Sequence, residues 1–178
     1  MVLARGSVIH RFYWISNDPI YFDRTNKGRL NSPDGRYGVL YAARRIDGAF
    51  AETFLREPGR TLLPMDMIVR KAAVRLRLHR EFKLVRLAGP GLARLGATAE
   101  VIHGGLPYDV PQAWSSALKD HPAAFDGISY SARHDDDEEC FALFDHTASD
   151  MTQVAREEAL DQPWFWELLS KYGVGIAP

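Results

Sequence analysis

The sequence contains a single cysteine, Cys140, and no uninterrupted run of eighteen apolar residues. One thiol cannot form an internal disulfide, so the fold does not depend on an oxidising compartment. Without a long apolar run we expect no transmembrane helix, and the first residues lack the apolar core of a signal peptide. We therefore expect a cytoplasmic protein. A protein delivered into a target cell without a cleaved signal would share these features.

A surplus of charge of either sign is also missing. The chain has 22 Lys and Arg residues against 23 Asp and Glu residues, which gives a formal net charge of −1. A general nucleic-acid binder or a membrane-surface protein needs a basic surplus. We therefore expect no direct binding to nucleic acid or to a membrane, whereas a local basic pocket for one small anion remains compatible with this balance.

The 178 residues suit one domain, which we assign to residues 1–178. Apolar residues make up 46% and charged residues 25%, as in ordinary soluble globular proteins. Such a chain is long enough to bury a sizeable core.

Short strands and short helices are predicted along the chain. Val8–Trp14 and residues 39–42 have the apolar and aromatic content of strands. A helix follows, and Ile46, Ala49, Phe50, Thr53 and Phe54 form its apolar face. Further strands are predicted at residues 74–79, 82–87, 127–131 and 140–144, and helices at residues 111–121 and 163–172. Because strands and helices do not alternate regularly, the pattern favours an α+β fold of short, mostly antiparallel strands.

Four residues along this pattern have side chains suited to an anionic, sugar-containing ligand. Arg29 lies in a Gly-rich turn, where a guanidinium can hold a phosphate through two hydrogen bonds. Tyr41 ends a strand and Glu52 lies off the apolar face of the helix, while Ser131 follows Tyr130 on a strand. Each also fits an ordinary role, as a solvated arginine, a core tyrosine, a surface glutamate or a packing serine.

The acidic residues 134–139 lie between two predicted strands. They are predicted to form a solvated loop at the tip of a hairpin, because the ligand spacing of zinc and calcium sites is absent. We therefore expect no metal. Near the end of the chain, Trp164, Phe165 and Trp166 fit either core packing or a partner-binding face.

Taken together, these segments resemble the RES domain, a family named for its Arg, Glu and Ser. His10-Arg11-Phe12 is similar to the first strand of the family. The other matching segments are Gly28-Arg29-Leu30-Asn31, Val39-Leu40-Tyr41-Ala42, Ala49-Phe50-Ala51-Glu52, Gly127-Ile128-Ser129-Tyr130-Ser131-Ala132-Arg133-His134 and Ala142-Leu143-Phe144. The similarity extends over residues 10–145, most of the chain.

The resemblance implies an ADP-ribosyltransferase-like fold, with a split sheet and flanking helices. It also implies a toxin that cleaves the nicotinamide–ribose bond of NAD⁺, by hydrolysis or by phosphorolysis with inorganic phosphate as co-substrate. An Xre-type antitoxin is expected to cover the active site. The implied catalytic residues are Arg29, Glu52 and Ser131, and the implied substrate-binding residues are Arg11, Phe12 and Tyr41.

These residue types fit that chemistry. Breaking the glycosidic bond leaves positive charge on the ribose, which a carboxylate such as that of Glu52 stabilises in the transition state. Two other hypotheses remain open. In the first, the protein transfers ADP-ribose to a protein target, and in the second it is a non-enzymatic RES-like binding domain. The sequence also leaves open whether the chain forms a homo-oligomer.

Overall fold

The computed structural model describes residues 1–57, 59 and 61–177. Ten strands and six helices follow one another within these ranges, together with a 3₁₀ helix at Asp145–Asp150. The strands are β1 (Val2–Leu3), β2 (Val8–Trp14), β3 (Val39–Ala43), β4 (Leu62–Pro64), β5 (Lys71–Leu78), β6 (Phe82–Arg86), β7 (Gly127–Ala132), β8 (Asp135–Phe144), β9 (Met151–Glu157) and β10 (Gly175–Ala177). The helices are α1 (Ile46–Phe54), α2 (Met65–Val69), α3 (Pro90–Leu95), α4 (Glu100–His103), α5 (Asp109–Lys119) and α6 (Pro163–Lys171). No helix in the described ranges has the length and apolar character needed to span a membrane.

Eight of the strands form one curled sheet, in the order β1-β6-β7-β8-β3-β2-β5-β9. All neighbours in this sheet are antiparallel except β6 and β7, and β4 and β10 form a separate parallel pair. The arrangement confirms the predicted α+β class with mostly antiparallel strands.

The large sheet is nearly split between β2 and β3. These two strands pair at a single position, His10 with Ala43. By contrast, β2 pairs with β5 along its whole length, from Val8 to Trp14, and every residue of β3 pairs with β8. Past their one common position β2 and β3 diverge, which leaves an opening in the sheet.

Apolar side chains cover both faces of the sheet. On one face, α1 and α6 pack over β2 through an aromatic cluster of Phe12, Phe50, Phe54 and Phe165. The rings of Phe12 and Phe54 meet edge to face with their centroids 5.0 Å apart, a favoured aromatic geometry. Phe165 is therefore a core residue, whereas Trp166 at the next position is 46% exposed.

The predicted acidic loop at residues 134–139 is wrong in its extent. Strand β8 begins at Asp135 and continues the antiparallel pairing with β7. Glu138 is fully buried, and its carboxylate accepts hydrogen bonds from the guanidinium of Arg45, with 3.0 Å between Arg45 Nε and Glu138 Oε1. A bidentate partner of this kind offsets the cost of burying a charge. A run of consecutive acidic residues gives no sign that such a partner exists elsewhere in the chain.

Gly127 begins β7 at a point where the chain leaves no room for a side chain. A Cβ at this position would lie 2.3 Å from the carbonyl oxygen of Ala142 in β8. We expect Gly127→Ala to lower the free energy of unfolding by about 2 kcal/mol or more, because the clash is with backbone and the neighbouring strands must separate. Urea denaturation followed by circular dichroism measures this loss. The matched control is Gly105→Ala, where a Cβ meets nothing within 4 Å; equal stability losses in the two variants would contradict the explanation.

Candidate active site

A cleft of about 310 Å³ lies at the opening between β2 and β3. Its walls come from β2, the loop that precedes β3, β3 itself, α1 and the end of β7. Volumes of this order are typical of small-molecule sites. The near-split of the sheet therefore positions residues that lie far apart in the sequence around one cavity.

The cleft is strongly cationic although the chain as a whole is not. Among its described lining residues, six are basic and two are carboxylates. The basic ones are Arg11, Lys27, Arg29, Arg56, Lys71 and Arg133, and the carboxylates are Asp23 and Glu52. A cleft lined by an excess of one sign concentrates ligands of the opposite charge. The surplus of four positive charges therefore favours an anionic ligand.

Glu52 is the carboxylate that α1 presents to this cleft. Three donors from two separate parts of the chain hold it: Arg29 Nη2 at 3.1 Å, and, from the end of β7, the Tyr130 hydroxyl at 3.3 Å and the backbone N–H of Arg133 at 2.9 Å. Its side chain is 18% exposed. The carboxylate is thus fixed in orientation by three donors, yet still reaches the cleft.

Arg29 is committed to partners within the protein. Besides its ion pair with Glu52, its other terminal nitrogen donates to the carbonyl oxygen of Ile102. Its Cζ atom also lies 5.7 Å from the ring centre of Tyr130, within cation–π range. The structure therefore brings Arg29 and Glu52 together, and the guanidinium of Arg29 forms an ion pair with the Glu52 carboxylate.

Tyr41 contributes its ring to the cleft wall and its hydroxyl to the loop that carries Arg29. The hydroxyl donates to Asn31 Oδ1 and accepts from the N–H of Leu30, both at 2.9 Å. Burial raises the pKa of the Tyr41 phenol, so that it stays protonated and able to donate. Tyr41 thus couples the conformation of the loop to the wall of the cleft.

Helix α5 holds the same loop from outside. The side-chain amide of Gln112 donates to the carbonyl oxygens of Asn26 and Gly28, and the Ser115 hydroxyl donates to the carbonyl of Leu30 at 2.7 Å. Both side chains are buried. These bonds satisfy carbonyl groups that a Gly-rich turn otherwise leaves unpaired, and the sequence pattern alone did not indicate them.

Arg11 and Phe12 enter the cleft from β2. Arg11 Nη1 donates to the backbone carbonyl of Tyr21 at 3.1 Å, and its Nε is buried without an acceptor among the described residues. Burial lowers the pKa of the Arg11 guanidinium. Phe12 packs mainly in the aromatic cluster beneath α1 while still bordering the cleft.

Ser131 is not among the residues that line the cleft. Its strand neighbours Tyr130 and Ala132 belong to the apolar layer under α1, and successive side chains of a strand point to opposite faces. Ser131 is therefore not among the side chains that border this cavity and its catalytic role stays a prediction, whereas Tyr130 and Arg133 of the same segment hydrogen-bond Glu52.

Lys71 at the start of β5 is a cleft residue that the sequence analysis missed. It is only 6% exposed, and its Nζ lies 3.6 Å from the ring centre of Trp14, its cross-strand neighbour. Burial lowers the pKa of Lys71 to about 8, with further lowering by the charges of Arg56 and Arg11. In the sequence it is one of many basic residues between 70 and 86, with nothing to mark it as buried.

The comparisons with known proteins agree with this architecture. The model of the RES domain matches residues 7–166. The chain belongs to the RES domain family. No curated protein sequence matches this RES chain significantly. Among solved structures, it is similar to a chain in the crystal structure of the M. tuberculosis MbcT-MbcA toxin-antitoxin complex, with a TM-score of 0.72 and 13% sequence identity over 95% of this chain and 92% of the other.

The Tyr41 hydroxyl gives a first test of how the RES chain holds its site. We expect Tyr41→Phe to lower the free energy of unfolding by about 1–3 kcal/mol, because it leaves the Leu30 N–H and Asn31 Oδ1 without the Tyr41 hydroxyl as their partner. Urea denaturation measures the change. Tyr21→Phe is the matched control, since Tyr21 also borders the cleft but is 40% exposed. A Tyr41→Phe variant as stable as this control would argue against the bridge.

Lys71 gives a pH-dependent test. The pKa of Lys71 is about 8 in the folded chain and roughly 10.4 in an unfolded one. Between these values the unfolded chain binds more protons, so the unfavourable contribution of this lysine fades as pH rises. We expect Lys71→Met to stabilise the protein more at pH 7 than at pH 10, as measured by urea denaturation at both values. A stability difference that does not change with pH would contradict the burial of the charge.

Proposed function

We propose that this RES-domain protein cleaves the bond between nicotinamide and ribose in NAD⁺, and that it acts as a toxin neutralised by an Xre-type antitoxin. The observation that carries the proposal is the Glu52 carboxylate, held by three donors at the wall of a cation-rich cleft. Membership of the RES family supports the same assignment.

The reaction needs few groups, because the leaving group is already activated. As the bond from the ribose C1′ to the pyridinium nitrogen breaks, its electron pair returns to the ring, and nicotinamide departs as a neutral molecule. No general acid is therefore required. The ribose acquires positive charge, and Glu52 stabilises that charge in the transition state.

An oxygen nucleophile completes the reaction at C1′. Water gives ADP-ribose and a proton, and inorganic phosphate gives the phosphate ester of ADP-ribose. Arg29, Tyr130 and the Arg133 N–H keep the carboxylate in one orientation before substrate arrives, which lowers the reorganisation needed during the step. Tyr41 and Phe12 offer aromatic surface for the nicotinamide or its ribose.

The toxin and antitoxin part of the proposal rests on the family and on the structural neighbour. That neighbour is a chain of a toxin-antitoxin complex, similar in fold over nearly the whole of both chains. A cleft open to solvent and rich in positive charge also suits inhibition by a partner that covers it.

Substitution of Glu52 tests the catalytic assignment. We expect Glu52→Gln to reduce the rate of NAD⁺ cleavage by about 10²–10³ or more, because the amide keeps the shape but loses the charge that stabilises the oxocarbenium-like state. The rate is measured by NMR as NAD⁺ is consumed by the purified, antitoxin-free chain, with and without phosphate. Glu167→Gln is the control, since Glu167 is an exposed residue of α6 outside the cleft.

The products separate this proposal from its rivals. Free ADP-ribose or its phosphate ester, identified by mass spectrometry, supports cleavage by the proposed route. ADP-ribose attached to a protein would instead indicate a transferase. A folded wild-type chain that leaves NAD⁺ intact under both conditions, with toxicity unaffected by Glu52→Gln, would indicate a binding domain.

A further inference from the structure

The ammonium group of Lys71 has no anionic partner in the described part of the chain. The side chain is 6% exposed, lines the cleft and contacts the Trp14 ring through its ammonium group. A buried cation without a counter-charge is costly, and proteins usually avoid or neutralise such groups. A lysine in this position therefore points to an anion supplied from outside the chain.

Two further cations share this end of the cleft. The charges of Arg56 and Arg11 both act on Lys71, and both residues line the same cavity. None of these three side chains forms an ion pair with a carboxylate of a described residue. The Nε of Arg11 is in addition buried without an acceptor. Three cations without a carboxylate ion pair among the described residues thus line the same cavity.

The other two arginines of the cleft have hydrogen-bond partners within the protein. Arg29 is taken up by Glu52 and by the Ile102 carbonyl, and Arg133 donates to the carbonyls of His103 and Gly104. Arg29 thus directs its charge at Glu52, whereas Arg133 has backbone partners for Nη2 and a buried Nε without an acceptor among the described residues. The positive charge that acts on the buried Lys71 ammonium group lies at Arg56 and Arg11.

We propose that Arg11, Arg56 and Lys71 form a phosphate-binding subsite, separate from the Glu52 centre, that holds a phosphate group of the ligand. Guanidinium groups bind phosphate through paired hydrogen bonds, and an ammonium group adds a compact charge. The exposed Trp14 ring borders this subsite at the ammonium group of Lys71. Arg29 then acts as a positioning residue for Glu52, and the phosphate contact belongs to the other three.

This inference deepens the proposed function and rests on it for the natural ligand, which we take to be the diphosphate of the dinucleotide. The binding of a phosphate group itself does not depend on that function. A dinucleotide held at its diphosphate by this subsite presents its nicotinamide ribose to a carboxylate elsewhere in the same cleft. Free phosphate acting as co-substrate has the same chemistry and is the second source to be tested.

Calorimetric titration of the full chain with inorganic pyrophosphate and, separately, inorganic phosphate at low ionic strength tests the subsite. We expect the wild type to bind pyrophosphate and Lys71→Met to bind it about tenfold more weakly or worse, because a charge-assisted contact is lost. Arg56→Gln, a change at an exposed residue, should weaken it similarly and serves as the second variant if Lys71→Met does not fold. Arg77→Gln is the matched control, because Arg77 is exposed on the same strand outside the cleft.

Each outcome has a defined meaning. Binding of pyrophosphate alone assigns the subsite to the dinucleotide, and equal binding of phosphate assigns it to the co-substrate; both support the subsite. No binding by the wild type, or unchanged binding by both variants, overturns it. In the NAD⁺ assay we expect Lys71→Met to raise KM with little change in kcat. A chain that binds pyrophosphate through Lys71 but leaves NAD⁺ intact would refute the proposed function and keep the subsite.

Discussion

The divergence of β2 from β3 is the constraint on which the rest of the site depends. The two strands are neighbours in the sheet and share one pairing, His10 with Ala43, while each is fully paired on its other side. The complete outer pairings keep both strands anchored in the sheet where they part from each other. Helix α1 begins three residues after β3 ends, so it lies at the edge of the opening and presents Glu52 to it.

The two ends of the cleft differ in how far their polar groups are satisfied. The Glu52 carboxylate accepts hydrogen bonds from three donors of the protein, which fixes its orientation before any ligand binds. At Lys71 positive charge is buried and left unmatched. A protein that retains such a group gives up some stability for a binding surface, as functional sites commonly do. The fixed carboxylate at the Glu52 end suits catalysis, and the unpaired positive charge at the Lys71 end suits recognition of an anion.

Sequence periodicity predicted those elements whose burial follows a regular pattern. Strand β2 and helix α1 were predicted because their apolar residues recur at strand and helix spacing. Arg29, Tyr41 and Glu52, which were predicted as site residues, line the cleft. Strand β9 was missed because most of its residues are exposed, which leaves no apolar alternation to detect. The start of β8 was misjudged because the partner of Glu138 comes from another part of the chain.

Individual side chains were harder to predict than elements. Lys71 and Ser131 show why: a lysine among many basic residues gives no sign of burial, and a serine within a recognisable segment gives no sign of which face it occupies. Both properties are set by the tertiary arrangement of β5 and β7. A motif identifies a neighbourhood in space, and the register of the strand decides which of its members reach the cavity.

The attachment of the Arg29 loop to α5 has a consequence for control of the molecule. Gln112 and Ser115 restrain the loop from the side away from the cavity, through bonds to three of its carbonyls. Because this loop also carries Arg29, which pairs with Glu52, these bonds connect α5 to the carboxylate through the loop. Helix α5 is therefore physically connected to the cleft although it lies outside the loop.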